Sequence, residues 1–177
     1  ASLWFAGCSP ANEPADQAAA PAAEIVERTA AVAIPDKYGA QVAEGVLRAG
    51  GNAVDAAVAV GFSMAVTFID AGNIGGGGFM LIHMNGEDTF LDYREKAPLA
   101  ESRDMNLDDQ GNVVPGASLI GHQSVGVPGT VAGFEAAHEK YGSRHWADLL
   151  APAMSLAEEG FIAGEKQGGG MISRVEL

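Results

Sequence analysis

The sequence predicts an α/β fold of the α+β type, and three observations carry that prediction. Two stretches with helical apolar spacing, each with its own start and stop residues, precede a hairpin signal, and two more follow it. The hairpin signal is Asn85-Gly86 between two apolar runs. Grouping the helices on either side of a hairpin departs from the strand–helix–strand alternation of nucleotide-binding sheets.

Taken in order, Ala30 to Ile34 is a short apolar run that reads as a strand. Pro35-Asp36 then opens a helix with Tyr38, Val42 and Val46 on one face, and Gly50-Gly51 stops it. Asn52 caps the next helix, with Asp55 placed to complete a capping box. From Ala56 to Ile69 no residue is charged. That run is too short to cross a bilayer, and its alanines, Gly61 and Ser63 suit a helix buried on most sides through close packing. After the glycines at 75–78, Phe79 to Met84 reads as a central strand, and Thr89 to Tyr93 as the strand that returns from the turn. Asp109-Gln110-Gly111-Asn112 marks a loop. Two helices close the pattern, from about Gly129 to Lys140 and from Trp146 to Glu159, with Tyr141-Gly142 between them. Pro152 is expected to bend or break the second, because it lacks an N–H for the helical ladder.

Composition excludes several classes. A net charge of −13, from 10 Lys and Arg against 23 Asp and Glu, repels polyanions and argues against a nucleic-acid partner. One cysteine cannot form an internal disulfide. That residue, Cys8, follows Leu3-Trp4-Phe5-Ala6-Gly7, which resembles the lipobox of a bacterial lipoprotein signal peptide, although Phe5 stands where Leu is usual. Residues 1–8 therefore read as the remnant of a signal peptide and Cys8 as the lipidated residue. Residues 9–28, rich in Ala, Pro and acidic side chains without aromatics, read as a disordered linker.

The 24 glycines in 177 residues are about twice the ordinary share. Their densest run, Gly75 to Gly78, is no phosphate loop, since Phe79 and Met80 follow where Lys and Ser or Thr are needed. It means backbone that approaches something closely, by packing strand on helix or as a wall facing substrate. Arg94, in Asp92-Tyr93-Arg94-Glu95-Lys96-Ala97-Pro98, presents a planar fork of donors that can grip a carboxylate. From the residues alone, a structural ion pair with Asp92, Glu95 or another carboxylate is the stronger reading. His122 and Ser124 lack anything that fixes a triad. His83, His138 and His145 are not spaced as a metal site, and His83 on its strand reads as a buried, satisfied histidine.

Five stretches, in this order, resemble the N-terminal part of the large subunit of γ-glutamyltransferases (glutathione hydrolases): Gly50 to Ala59, Ala71 to Met80, Asp92 to Pro98, Val127 to Gly133 and Leu156 to Phe161. The resemblance covers residues 29–163. It implies a fragment of an N-terminal-nucleophile hydrolase with an αββα sandwich, made as a precursor that cleaves itself into large and small subunits. It implies a threonine freed at the small subunit's N-terminus, beyond Leu177, that attacks the γ-glutamyl amide with its own α-amine as base. Neither Thr67 nor Thr130 stands in a matching context, so no catalytic residue is expected on this chain, which alone should be inactive. The implied partners are glutathione or another γ-glutamyl compound, the rest of the large subunit and the small subunit. No metal or organic cofactor is implied. By the same resemblance Arg94 holds the substrate's α-carboxylate, which reverses the reading from the residues alone.

From Gly164 to Gly170 the sequence departs from the family's pattern, so 164–177 reads as a divergent or truncated end. Relatives that act on cephalosporin side chains or poly-γ-glutamate, and a non-catalytic acidic surface lipoprotein, are the alternatives. The expected location is the bacterial cell envelope, periplasmic or lipid-anchored. Mass spectrometry of the protein from its native host is expected to find Cys8 carrying a lipid; unmodified Cys8 in membrane-free material would contradict it.

Overall fold

The computed structural model describes residues 30–164. Cys8, the linker at 9–28 and residues 165–177 of the divergent end lie outside the described residues. Four helices and one hairpin follow in the predicted order: α1 Lys37–Arg48, α2 Ala53–Thr67, β1 Phe79–Met84, β2 Glu87–Asp92, α3 Thr130–Tyr141 and α4 Trp146–Glu159. The fold is α+β.

α1 starts where Asp36 takes the Gly39 N–H on its side chain at 2.8 Å. The same carboxylate accepts from the hydroxyl of Thr67 at 2.8 Å, so one buried acid joins the start of α1 to the end of α2. α2 begins with the predicted capping box: Asn52 Oδ1 accepts from Val54 and Asp55 N–H, and Asp55 accepts from Asn52 N–H at 2.8 Å. Its uncharged sequence has a direct structural counterpart. Val54, Val58 and Ala59 bury one face with Ile82, Phe134, Ala137 and Leu149, while Ala56 and Val60 bury the other with Ala43 of α1. A helix packed on two sides needs small residues at its contacts. At Gly61 even a methyl group would overlap the Phe134 ring.

Asp55 does more than cap. It has no solvent exposure, and its carboxylate also accepts from Ser143 N–H at 2.9 Å, Ser143 Oγ at 2.6 Å and Arg144 N–H at 3.2 Å. Burial alone would push its pKa up; the hydrogen bonds from Ser143, Asn52 and Arg144 outweigh that and hold it below the ordinary aspartate value. Asn52 Nδ2 donates to the Tyr141 carbonyl at 2.7 Å, and the Arg144 guanidinium donates to the Ala49 carbonyl. The α3–α4 connection is thereby knitted to the start of α2.

β1 and β2 pair antiparallel from Phe79 with Asp92 to Met84 with Glu87. Asn85 and Gly86, at φ 55° and 80°, make the left-handed two-residue turn that their sequence predicts. Three expectations are corrected. Ala30 to Ile34 forms no strand, because no described strand lies beside it; Ile34 instead packs on Ala43, Ala56 and Val60. β1 is not central: among the described residues it pairs with β2 alone, and Leu81 is 82% exposed. α4 runs through Pro152 unbroken.

Replacing Asp55 with Asn removes an acceptor from buried donors and should destabilise the complete protein by about 1–3 kcal/mol at neutral pH. Because the folded pKa is lowered, the carboxylate's contribution is full above the unfolded value and fades as pH falls through the folded one. Urea unfolding of both proteins across pH should therefore show the gap narrowing below pH 3.8; a gap independent of pH would contradict the role assigned to the charge.

Candidate substrate-carboxylate site

Arg94 sits just beyond β2, where the chain leaves the hairpin. Its backbone is pinned on both sides. Tyr93 N–H donates to the Gly78 carbonyl at 3.0 Å, and Lys96 and Val127 exchange backbone bonds of 3.2 and 2.7 Å. Asp92 Oδ1 accepts the N–H of Arg94 itself at 3.1 Å. Two glycines close against this segment. A Cβ on Gly77 would overlap the Glu95 nitrogen and the Tyr93 oxygen, and one on Gly129 would overlap the same Tyr93 oxygen. The glycine run is therefore packed backbone at 76–78, and Gly75 alone faces open space.

The Tyr93 ring lies against Gly133 and edge-on to Phe134, with centroids 6.0 Å apart. Its hydroxyl donates to the Phe79 carbonyl at 3.3 Å. Burial raises the phenol pKa above its usual value, so the ring remains a neutral donor.

The side chain of Arg94 is 59% exposed, with Nε 3.4 Å from Glu95 Oε2 and Cζ 5.9 Å from the centre of the Phe79 ring. The ion pair read from the residues alone is thus present, but with Glu95 rather than Asp92, whose carboxylate is spent on backbone. Engagement through Nε leaves the two terminal amino groups, the half of the fork that binds a carboxylate in parallel, uncommitted among the described residues. Arg94 is among the residues that line a cleft of about 270 Å³ between the end of β2 and α3, with Lys96, Val127, Pro128 and Ala136 among its other walls. The arrangement can hold an anion.

The nucleophile candidates that the sequence set aside are occupied elsewhere. Thr67 and Thr130 are buried and hydrogen-bonded, and Ser124 Oγ donates to the Gly121 carbonyl at 2.7 Å within a short 3₁₀ turn. His83 is exposed, not buried: outward-facing in its strand, it lies 2.6 Å from Asp88. Among the described residues no group of three or more His, Cys, Asp or Glu could hold a metal ion, and no helix is long and apolar enough to cross a membrane. Sequence reasoning passed over Asn73 and Thr130 as a pair. Asn73 Oδ1 accepts from Gly76 N–H at 3.0 Å and from Thr130 Oγ1 at 2.7 Å. An asparagine leading into glycines is a known turn-former and carried half of that signal; the partner, far along the chain, carried none.

Likeness to solved structures places the chain among the N-terminal-nucleophile hydrolases, of whose fold it is a fragment. The γ-glutamyltranspeptidase of Pseudomonas nitroreducens, solved in complex with L-DON, aligns with it at a TM-score of 0.79 and 49% identity, over 84% of this chain and 44% of that one. The Gamma-glutamyltranspeptidase family model matches residues 39–176, and the chain belongs to that family. The glutathione hydrolase proenzyme of Pseudomonas aeruginosa is 56% identical over 137 residues, which is 77% of this chain and 25% of that protein. Its Escherichia coli counterpart is 53% identical over 135 residues, 76% of this chain and 23% of that protein. The chain thus spans about a quarter of the length of these relatives.

A two-glycine comparison tests the packing. In the complete protein Gly75→Ala should leave stability within about 0.5 kcal/mol, whereas Gly77→Ala, which forces two backbone segments apart, should cost about 1–3 kcal/mol. Equal melting temperatures for the two variants would refute the close approach.

Proposed function

We propose that the complete protein is a γ-glutamyltransferase, and that this chain supplies its grip on the α-carboxylate of the γ-glutamyl substrate. The reaction cleaves the γ-glutamyl amide of glutathione or a related compound and passes the γ-glutamyl group to water, an amino acid or a peptide. One observation carries the assignment to this chain: Arg94 has two terminal amino groups uncommitted among the described residues, on a backbone pinned on both sides, within Asp92-Tyr93-Arg94-Glu95. The family membership and the names of the relatives support the wider reading.

The chemical step needs a hydroxyl attacking the γ-carbonyl carbon, a base to take its proton, and a proton returned to the leaving amine. Those groups are proposed to lie on the small subunit. Arg94 acts at the other end of the glutamyl unit. By binding the α-carboxylate through two parallel bonds it fixes one end of a flexible chain, so that the γ-carbonyl meets the nucleophile in a narrow range of orientations. Residues 29–163 form the N-terminal part of the large subunit in this proposal. Lipidation at Cys8, with 9–28 as the tether, would hold the enzyme at the bacterial cell envelope.

In the complete protein, Arg94→Ala should raise KM for γ-glutamyl-p-nitroanilide by at least about tenfold while self-cleavage persists. Arg94→Lys should recover only part, since a point charge replaces a fork. Unchanged KM in the alanine variant would remove Arg94 from the substrate.

A further inference from the structure

The backbone that carries Arg94 is set by contacts remote from its side chain, and those contacts share one fastening. Gly77 presses on the Tyr93 and Glu95 peptides; Gly129 presses on Tyr93 as well and comes close to the carbonyl of Arg94. The two glycines belong to different segments, the run before β1 and the start of α3. What joins these segments is a compact set of bonds. The Gly76 carbonyl accepts from Gly129 N–H at 2.8 Å and Thr130 N–H at 3.1 Å. Asn73 Oδ1 accepts from Gly76 N–H at 3.0 Å and from the buried Thr130 hydroxyl at 2.7 Å, and Asn73 Nδ2 donates to the Ala71 carbonyl at 3.1 Å.

We infer that Asn73 and Thr130 are positioning residues for substrate binding: their side chains hold Gly77 and Gly129 against the backbone of the Arg94 segment and so set where the guanidinium points. This rests on the reading of Arg94 as the carboxylate grip. Neither side chain reaches the cleft; the effect passes through backbone. With no Cβ on either glycine, the spacing between these segments is not fixed by side-chain bulk and depends on the hydrogen bonds that close it. A bidentate grip is sensitive to small displacements, so loosening the fastening should weaken binding more than chemistry.

The test uses the complete self-cleaved protein with γ-glutamyl-p-nitroanilide. Asn73→Ala, which removes both accepted bonds, should raise KM about five- to twentyfold with kcat changed less than about threefold. Asn73→Asp keeps an oxygen facing both donors, and its charge is favourable beside the N-terminus of α3; it should return KM to within about threefold of the parent. Thr130→Val should resemble Asn73→Ala, and Thr130→Ser the parent. In an Arg94→Ala background, Asn73→Ala should add little, because the group it positions is gone.

Each failure points to a different step. If Arg94→Ala leaves KM unchanged, the grip itself is wrong, and this inference falls with it. If Arg94→Ala raises KM but Asn73→Ala does not, only the positioning role is overturned. A KM increase of the same size with and without Arg94, or Asn73→Asp behaving like Asn73→Ala, overturns it too. Should Asn73→Ala fail to fold or to cleave itself, the Thr130→Val and Thr130→Ser pair decides on the same criterion, and the Asn73→Asp result stands alongside it.

Discussion

At the start of α2 the Asp55 carboxylate gives up all contact with water and is met by four donors, one from its own cap and three from Ser143 and Arg144. An ionised carboxylate without such partners would be untenable in this position. With them it becomes a fixed point shared by two parts of the chain that are far apart in sequence. The α3–α4 connection can take only the path that brings those donors to Asp55, which sets how α3 leans across α2. That in turn seats the Phe134 ring on Gly61 and brings the first residues of α3 to the glycine run. The arginine site is the last consequence in this series, since Gly129 at the head of α3 forms one of its flanks.

The glycine run gains a mechanical meaning from this. Gly76 meets the Asn73 amide, Gly77 meets backbone and Gly78 the Tyr93 ring, and none of the four glycines has a positive φ. Their value lies in the absent Cβ rather than in conformational freedom. Close approach lets Gly76 satisfy the first N–H groups of α3, donors that a helix start otherwise leaves to water or a side chain. It also lets the segment after β2 be gripped by peptide groups, which have fewer ways to shift than side chains.

Features governed by nearby residues were legible in the sequence. The capping box at Asn52 and Asp55, the turn at Asn85-Gly86, the uncharged helix after Asp55 and the two closing helices all follow from local chemistry, and the elements appear within a residue or two of where it puts them. The break expected as one outcome at Pro152 does not occur, because one missing hydrogen bond is tolerated where Leu149 and Ala153 are held in the core. The strand expected at Ala30 to Ile34 and the central place expected for β1 depend on neighbours that the described residues do not supply. Arg94 was legible as a chemical type in a motif, but its division of labour was not. That Asp92 serves backbone while Glu95 takes one edge of the guanidinium depends on geometry alone. The pairing of Asn73 with Thr130 likewise joins positions that no local pattern connects.

The hydroxyl of Tyr38 donates to the carbonyl of Ile162 at 3.0 Å and accepts from the N–H of the same residue at 2.9 Å, with Phe161 set edge-on to its ring. A single side chain thus plays the part of a strand neighbour, completing both backbone bonds of one distant residue. These residues lie near the two limits of the described chain, so the structure is closed on itself like a buckled strap. Closing so long a loop carries an entropic cost that grows only slowly with its length, and a contact between such distant residues belongs among the non-local pairings that slow folding. Tyr38 is therefore a latch on an assembly whose helices already pack without it. Its loss should let the strap open at the buckle while leaving the belt intact.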